Sequence, residues 1–181
     1  MKKYLLIMIM ALLAMQANSQ FTKATLQATG LTCAMCSNAI NKALMKVPFV
    51  ESVKSDIKNS AFAIVFKEGM EQNIDALKNA VEDAGFAVGS LKLTGTFTDL
   101  KIAADEHIKI GNSYFHFMSV SSQTLNGEST FSVLDKNFIT AKQFKKIASG
   151  NKMACVESGT AGDCCAKDGI TPGTRIYHVT I

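Results

Sequence analysis

Between residues 22 and 93 the hydrophobic period of this chain switches from two to about 3.6 and back, twice, and few folds accommodate that order. Ala24, Leu26 and Ala28 alternate with polar neighbours and run into Gly30, as a half-buried strand does. Ala39, Ile40, Ala43, Leu44 and Val47 then recur at helical spacing until Pro48. Val53, Ser55 and Ile57 alternate again, Lys58-Asn59-Ser60 reads as a hairpin turn, and Ala61 to Phe66 is a β-prone apolar run. Ile74, Leu77, Val81 and Ala84 mark a second amphipathic helix with Gly85 as its cap, and a strand from Phe86 to Leu93 closes the series. The order strand, helix, strand, strand, helix, strand predicts an α+β, ferredoxin-like split βαβ with both helices on one face of an antiparallel sheet.

The chemistry of this segment concentrates in Gly30-Leu31-Thr32-Cys33-Ala34-Met35-Cys36, at the junction of the first strand and the first helix. Cys33 falls in the turn and Cys36 in the first helical turn, so both sulfurs can address one atom above the helix start. Free N–H groups and the partial positive charge of a helix start favour thiolates there. Thiolates select soft ions, and two of them with no third ligand suit a linear or trigonal Cu(I) or Hg(II), with Zn(II) as a further candidate. The same spacing also serves thiol-disulfide redox centres. Those normally set a cis-proline against the thiols, and neither Pro48 nor Pro172, the two prolines of the chain, precedes a suitable strand.

With strands, helices and loop in place, residues 22–93 resemble a heavy-metal-associated domain, the module of copper chaperones and of the N-terminal extensions of copper-transporting ATPases. That family carries a Gly-Met-Thr-Cys-x-x-Cys loop, matched here by Gly30 to Cys36, and a Gly-aromatic pair entering the last strand, matched by Gly85-Phe86. Leu31 stands in place of the usual Met, a volume-conserving change, and Phe86 stands where bacterial chaperones often have Tyr, which removes one hydrogen-bond donor near the thiols. The resemblance implies Cu(I) held by Cys33 and Cys36 and passed on by ligand exchange, a metal-transporting ATPase or another envelope metal protein as partner, and no catalytic activity.

Residues 1–19 are expected to be a cleavable signal peptide. Met1-Lys2-Lys3 precedes an apolar run from Tyr4 to Met15, and Ala17 and Ser19 are small residues at −3 and −1 of a cut after Ser19. The run is short for a membrane span, so the mature chain is expected in the periplasm or outside the cell with no membrane insertion, an arrangement resembling the periplasmic mercuric-ion binding proteins. Losing Lys2 and Lys3 lowers the formal charge from +4 to +2, which does not point to nucleic acid.

Residues 95–181 follow a different grammar. Leu100–Ile102, Ile108–Ile110, Tyr114–Val120, Thr130–Leu134 and Arg175–Ile181 are short strand candidates, and Thr140 with Gln143 makes a capping box before a helix over Ala141–Ala148. That pattern suggests a small β-rich domain of the OB-barrel type, with a boundary near Leu93-Thr94-Gly95. Cys155 is expected to tether its Gly-rich loop by a disulfide to Cys164 or Cys165; the alternative is that these three cysteines supply extra soft ligands. His116 and Met118 share a strand face, and an isolated strand histidine there is more often a partly exposed side chain than a copper ligand.

Overall fold

The computed structural model describes residues 20–31, 33–151 and 153–181. The expected signal peptide lies outside the described residues. β1 (Gln20–Thr29), α1 (Ala34–Leu44), β2 (Val50–Asp56), β3 (Ala61–Phe66), α2 (Ile74–Asp83) and β4 (Ala87–Ile102) follow in the predicted order. β3 and β4 flank β1 antiparallel, with Leu26 opposite Phe62 on one side and Leu91 on the other. β2 pairs outside β3, which completes the ferredoxin-like order β2-β3-β1-β4.

Local chemistry explains the boundaries. Asn73 caps α2 by accepting from the Asp75 N–H, and Ile74, Leu77 and Val81 make its buried stripe. Gly85, at φ +87°, takes the left-handed turn that releases the chain into β4. On α1 the buried residues are Ser37, Ile40 and Leu44, and their face meets α2 over the sheet.

The second half departs from expectation in its architecture. β5 (Glu106–Ile110), β6 (Ser113–Phe117), β7 (Gln123–Val133) and β8 (Ile176–Thr180) do not close into an OB-type barrel. They extend the first sheet into one open eight-stranded sheet, β2-β3-β1-β4-β7-β8-β6-β5. The cause is β4. Its residues run without a break through 93–95, where a change of domain was expected, and their far end pairs with β7, Leu93 facing Phe131 and Leu100 facing Leu125. Alternation of apolar residues sets which face a strand buries but not whether its sheet curls shut.

Phe21, Phe97, Phe115, Phe117 and Phe131 interlock at the centre, with ring centroids 5.1–5.9 Å apart, and belong to one core that reaches from Phe21 to Val179. Each such buried ring contributes about 1.5–3 kcal/mol of transfer free energy. A polar tie also joins the halves. Arg175 Nε donates to Asp75 Oδ2 of α2 at 2.7 Å, its Nη2 donates to Asp75 Oδ1 and to Asp135 Oδ2 at 3.1 Å each, and its guanidinium lies 4.1 Å from the Tyr177 ring centre.

α3 (Ala141–Gly150) carries the expected capping box: the Thr140 hydroxyl accepts from the Gln143 N–H, and the Gln143 side-chain oxygen accepts from the Thr140 N–H. Two short elements have no signal in the periodicity, α4 (Ala154–Ser158) and a 3₁₀ helix over Asp163–Asp168. Together they carry the three C-terminal cysteines. No described helix is long and apolar enough to cross a membrane.

Candidate metal centre

β1 delivers the CxxC loop and α1 receives it. Gly30 turns the chain with φ +81°, which a side chain would resist. Cys33 follows as the N-cap of α1 in extended geometry, φ −156° and ψ 165°, without using its side chain as a cap. Its carbonyl accepts from the Cys36 and Ser37 N–H groups at 3.2 and 3.4 Å, which turns Cys36 back over the helix start. The two sulfurs lie 3.0 Å apart, Cys33 exposed and Cys36 half-buried. The fold brings Cys33 and Cys36 together at the surface.

The helix start that holds the pair carries no acid. No acidic residue sits in the first turn of α1, so nothing negative in that turn offsets the positive end of the helix. Leu31 packs inward against the core, as an apolar replacement for Met should. Thr29 pairs with Ala87, which sets Phe86 next to the loop, where it packs partly buried on the same core. Met35, between the cysteines, is 82% exposed. A soft, polarisable side chain thus stands in solvent beside two thiols.

A second gathering of ligand-type side chains lies in the other half. Cys155 on α4 and Cys164 and Cys165 on the 3₁₀ helix bring their sulfurs within 4.8 Å of one another. None of them is disulfide-bonded, so the expected tether between Cys155 and Cys164 or Cys165 is absent, and the loop is held by packing of Cys155, Cys165, Val156, Ala161 and Ile170. Burial pushes the Cys155 and Cys165 thiols up. Burial acts the same way on Cys164, but hydrogen bonds from Cys155 and Cys165 and from the Gly162 backbone outweigh it and hold that thiol down.

His107 and His116 adjoin Cys155, and His178 adjoins His116. His107 of β5 is opposite His116 of β6, and His116 is opposite His178 of β8, so strand register lines them up on one face of the sheet. His107 and His116 stack at 4.5 Å, and His116 meets His178 edge-on at 5.1 Å. Burial, followed by the neighbouring charges of His178 and His107, holds the His116 imidazole down to about 4, so the ring is neutral at ordinary pH. His116 is fully buried, contrary to the partly exposed ring expected from sequence. His107 and His178 carry no signal of this grouping in the sequence, because a register across β5, β6 and β8 leaves no local pattern. The lysines of α3, Lys142, Lys145 and Lys146, are all exposed.

The family model of the heavy-metal-associated domain matches residues 25–87. The probable copper-transporting ATPase HMA5 of Arabidopsis thaliana is 26% identical over 73 residues, 40% of this chain and 7% of that protein. The copper-transporting ATPase RAN1 of the same plant is 40% identical over 58 residues, 32% of this chain and 6% of that protein. The chain therefore spans only a small fraction of the curated relatives it matches. Among solved structures, a copper binding domain from HMA7, a P-type ATPase, is 34% identical, covering 37% of this chain and 89% of that one with a TM-score of 0.34. Oxidized MerP from Ralstonia metallidurans CH34 is 26% identical over 39% of this chain and 96% of its own, with a TM-score of 0.35.

Proposed function

We propose, from the premise that residues 25–87 are a heavy-metal-associated domain, that this chain is an exported, non-enzymatic carrier of Cu(I) bound between the Cys33 and Cys36 thiolates. The observation that carries the reading is the pair of sulfurs 3.0 Å apart at an acid-free helix start, inside the matched segment. Two soft donors suit Cu(I), and similarity to copper-transporting ATPases points to the same metal.

Transfer follows from the low ligand count. An incoming thiolate from a partner adds to the bound ion, and the ion then leaves with that partner as Cys33 and Cys36 let go one after the other. No bare ion enters water at any stage. The exposure of Cys33 and of Met35 leaves room for this approach and gives a partner an apolar contact beside the sulfurs. A metal-transporting ATPase or another envelope metal protein fits as that partner. Export rests on the leader read at residues 1–19.

Anaerobic titration of the reduced chain with Cu(I) against a chromophoric chelator tests the reading, with Zn(II) and Hg(II) as competitors. One equivalent should depend on Cys33 and Cys36 together. If Cys33→Ser with Cys36→Ser leaves the number of bound Cu(I) ions unchanged, the assignment fails.

A further inference from the structure

We infer that His107, His116 and Cys155 form a second, buried site for a three-coordinate Cu(I) ion, reached through Cys164 and Cys165. The two sites share no residue, and the inference does not depend on what Cys33 and Cys36 bind.

The ligand atoms of His107, His116 and Cys155 lie within 4.8 Å of one another, and Cys155 belongs equally to the three-thiol group. His116 and Cys155 are 0% exposed, as is the His107 side chain. Four ring nitrogens here, His107 Nε2, both nitrogens of His116 and His178 Nε2, are buried without a hydrogen bond, and Asp105 Oδ1 stands off at 3.6 Å from His116 Nε2. Leaving a buried polar group without a partner is costly, and four such atoms on one face of one sheet are a concentration that packing alone does not reward. A cation can accept the lone pair of His107 Nε2 and that of one His116 nitrogen, and so satisfy two of the four.

The outer partners are already in place. Asp168 Oδ2 lies 2.6 Å from His107 Nδ1, and Asp135 Oδ1 lies 2.6 Å from His178 Nδ1. Each carboxylate fixes the proton on Nδ1 and leaves Nε2 with a free lone pair, the way metal-ligating imidazoles are held. Asp168 belongs to the same 3₁₀ helix as Cys164 and Cys165, so one element orients a ring and supplies two thiols.

Charge and coordination number select the ion. Two neutral imidazoles and one thiolate sum to −1, which a monovalent cation cancels in a buried site. A tetrahedral divalent ion would call in a fourth ligand. Among the described residues the ligand atoms gather in two sets of three that share Cys155, with no set of four. That arrangement suits trigonal Cu(I) better than tetrahedral Zn(II). Cys164 is half-buried where Cys155 and Cys165 are fully buried, so the thiols lead from the surface to the inner triad.

The test uses the full chain, reduced and anaerobic, carrying Cys33→Ser and Cys36→Ser. Cu(I) titration against bathocuproine disulfonate should find one equivalent still bound, and copper K-edge absorption should show three-coordinate copper with one sulfur and the outer scattering of two imidazoles. Adding His116→Phe should remove that equivalent while the far-UV circular dichroism spectrum stays that of the parent chain, which separates loss of a ligand from loss of the fold. Failure to bind Cu(I), sulfur-only coordination, tighter binding of Zn(II) than of Cu(I), or unchanged binding after His116→Phe would each overturn the inference. Failure of the first site reads differently: His116→Phe alone would then hold no Cu(I), while the Cys33→Ser, Cys36→Ser chain still held one equivalent.

Discussion

Replacing Arg175 by Met should destabilise the whole protein, and by an amount that depends on pH. The guanidinium donates to Asp75 at 2.7 and 3.1 Å and to Asp135 at 3.1 Å, and also to the Gly159 carbonyl at 3.0 Å. Side-chain exposures are 30% for Arg175, 26% for Asp75 and 4% for Asp135, so water can compensate only partly once the cation is gone. Removing one partner of a buried ion pair costs about 3–5 kcal/mol, and the partial exposure of Asp75 places this case at the low end, about 3 kcal/mol. For a chain of this size that corresponds to a drop in Tm of roughly 6–12 °C.

The pH dependence follows from Asp75. Burial opposes its ionisation, but the Arg175 hydrogen bonds and charge, with Lys78 and Tyr177, outweigh burial and hold its carboxyl below the usual range. A lowered folded-state value means stability that is complete above the unfolded carboxyl value of about 3.9 and is lost as pH falls through the folded one. The gap between wild type and Arg175→Met should therefore be full at pH 7 and narrow below about pH 4. Urea unfolding followed by far-UV circular dichroism, on wild type, Arg175→Met, Asp75→Asn and the double variant, measures both the gap and the pairwise coupling. A gap under about 1 kcal/mol at pH 7, or one of equal size at pH 3, refutes the reasoning.

Further outcomes are expected. Either Cys33→Ser or Cys36→Ser alone should weaken Cu(I) binding by more than about 100-fold, since even outer-shell partners are worth 10–100-fold, and chelator competition reads this directly. Phe131→Ala, at a ring that is 0% exposed and touches Phe21, Phe97 and Phe117, should cost about 3–5 kcal/mol. Because that ring belongs to the shared core, calorimetry should show a single transition shifting as a whole, and two separately moving transitions would contradict the continuous packing. Gly95→Ala places a methyl 2.7 Å from the Gln20 carbonyl oxygen and 3.2 Å from Phe21 Cα, both backbone, so about 1–3 kcal/mol of stability should be lost in urea titration.

What the sequence disclosed follows the range of the forces involved. The turn at Gly30, the stripe Ile74-Leu77-Val81, the cap at Gly85 and the box Thr140-Gln143 are written within a few residues of where they act, and each was readable. Cys33 and Cys36 are three apart in the chain and adjacent in space for the same reason. The second half resisted because its decisive contacts are remote. β8 inserts between β7 and β6, antiparallel to one and parallel to the other, and only that insertion sets His178 beside His116. The alternation of Tyr114 to Phe117 tells which face is buried but not which strand lies next to it. The spacing of Cys155, Cys164 and Cys165 permits a disulfide and a three-thiol group equally, and the placement of α4 against the 3₁₀ helix decides between them.

The length of β4 has a consequence for solubility and assembly. In a four-stranded module ending near residue 93, β4 would be a bare margin whose amide and carbonyl groups invite a foreign strand. Here β7 occupies that margin from Lys92 to Ile102, and the outermost strands of the sheet are β2 and β5. A fragment cut at residue 93 would reopen it and remove Phe97 and Phe131 from above Phe21. Such a fragment should self-associate more readily than the intact chain, so excising the Cys33–Cys36 half for study would lay open a strand margin that β7 covers in the whole molecule.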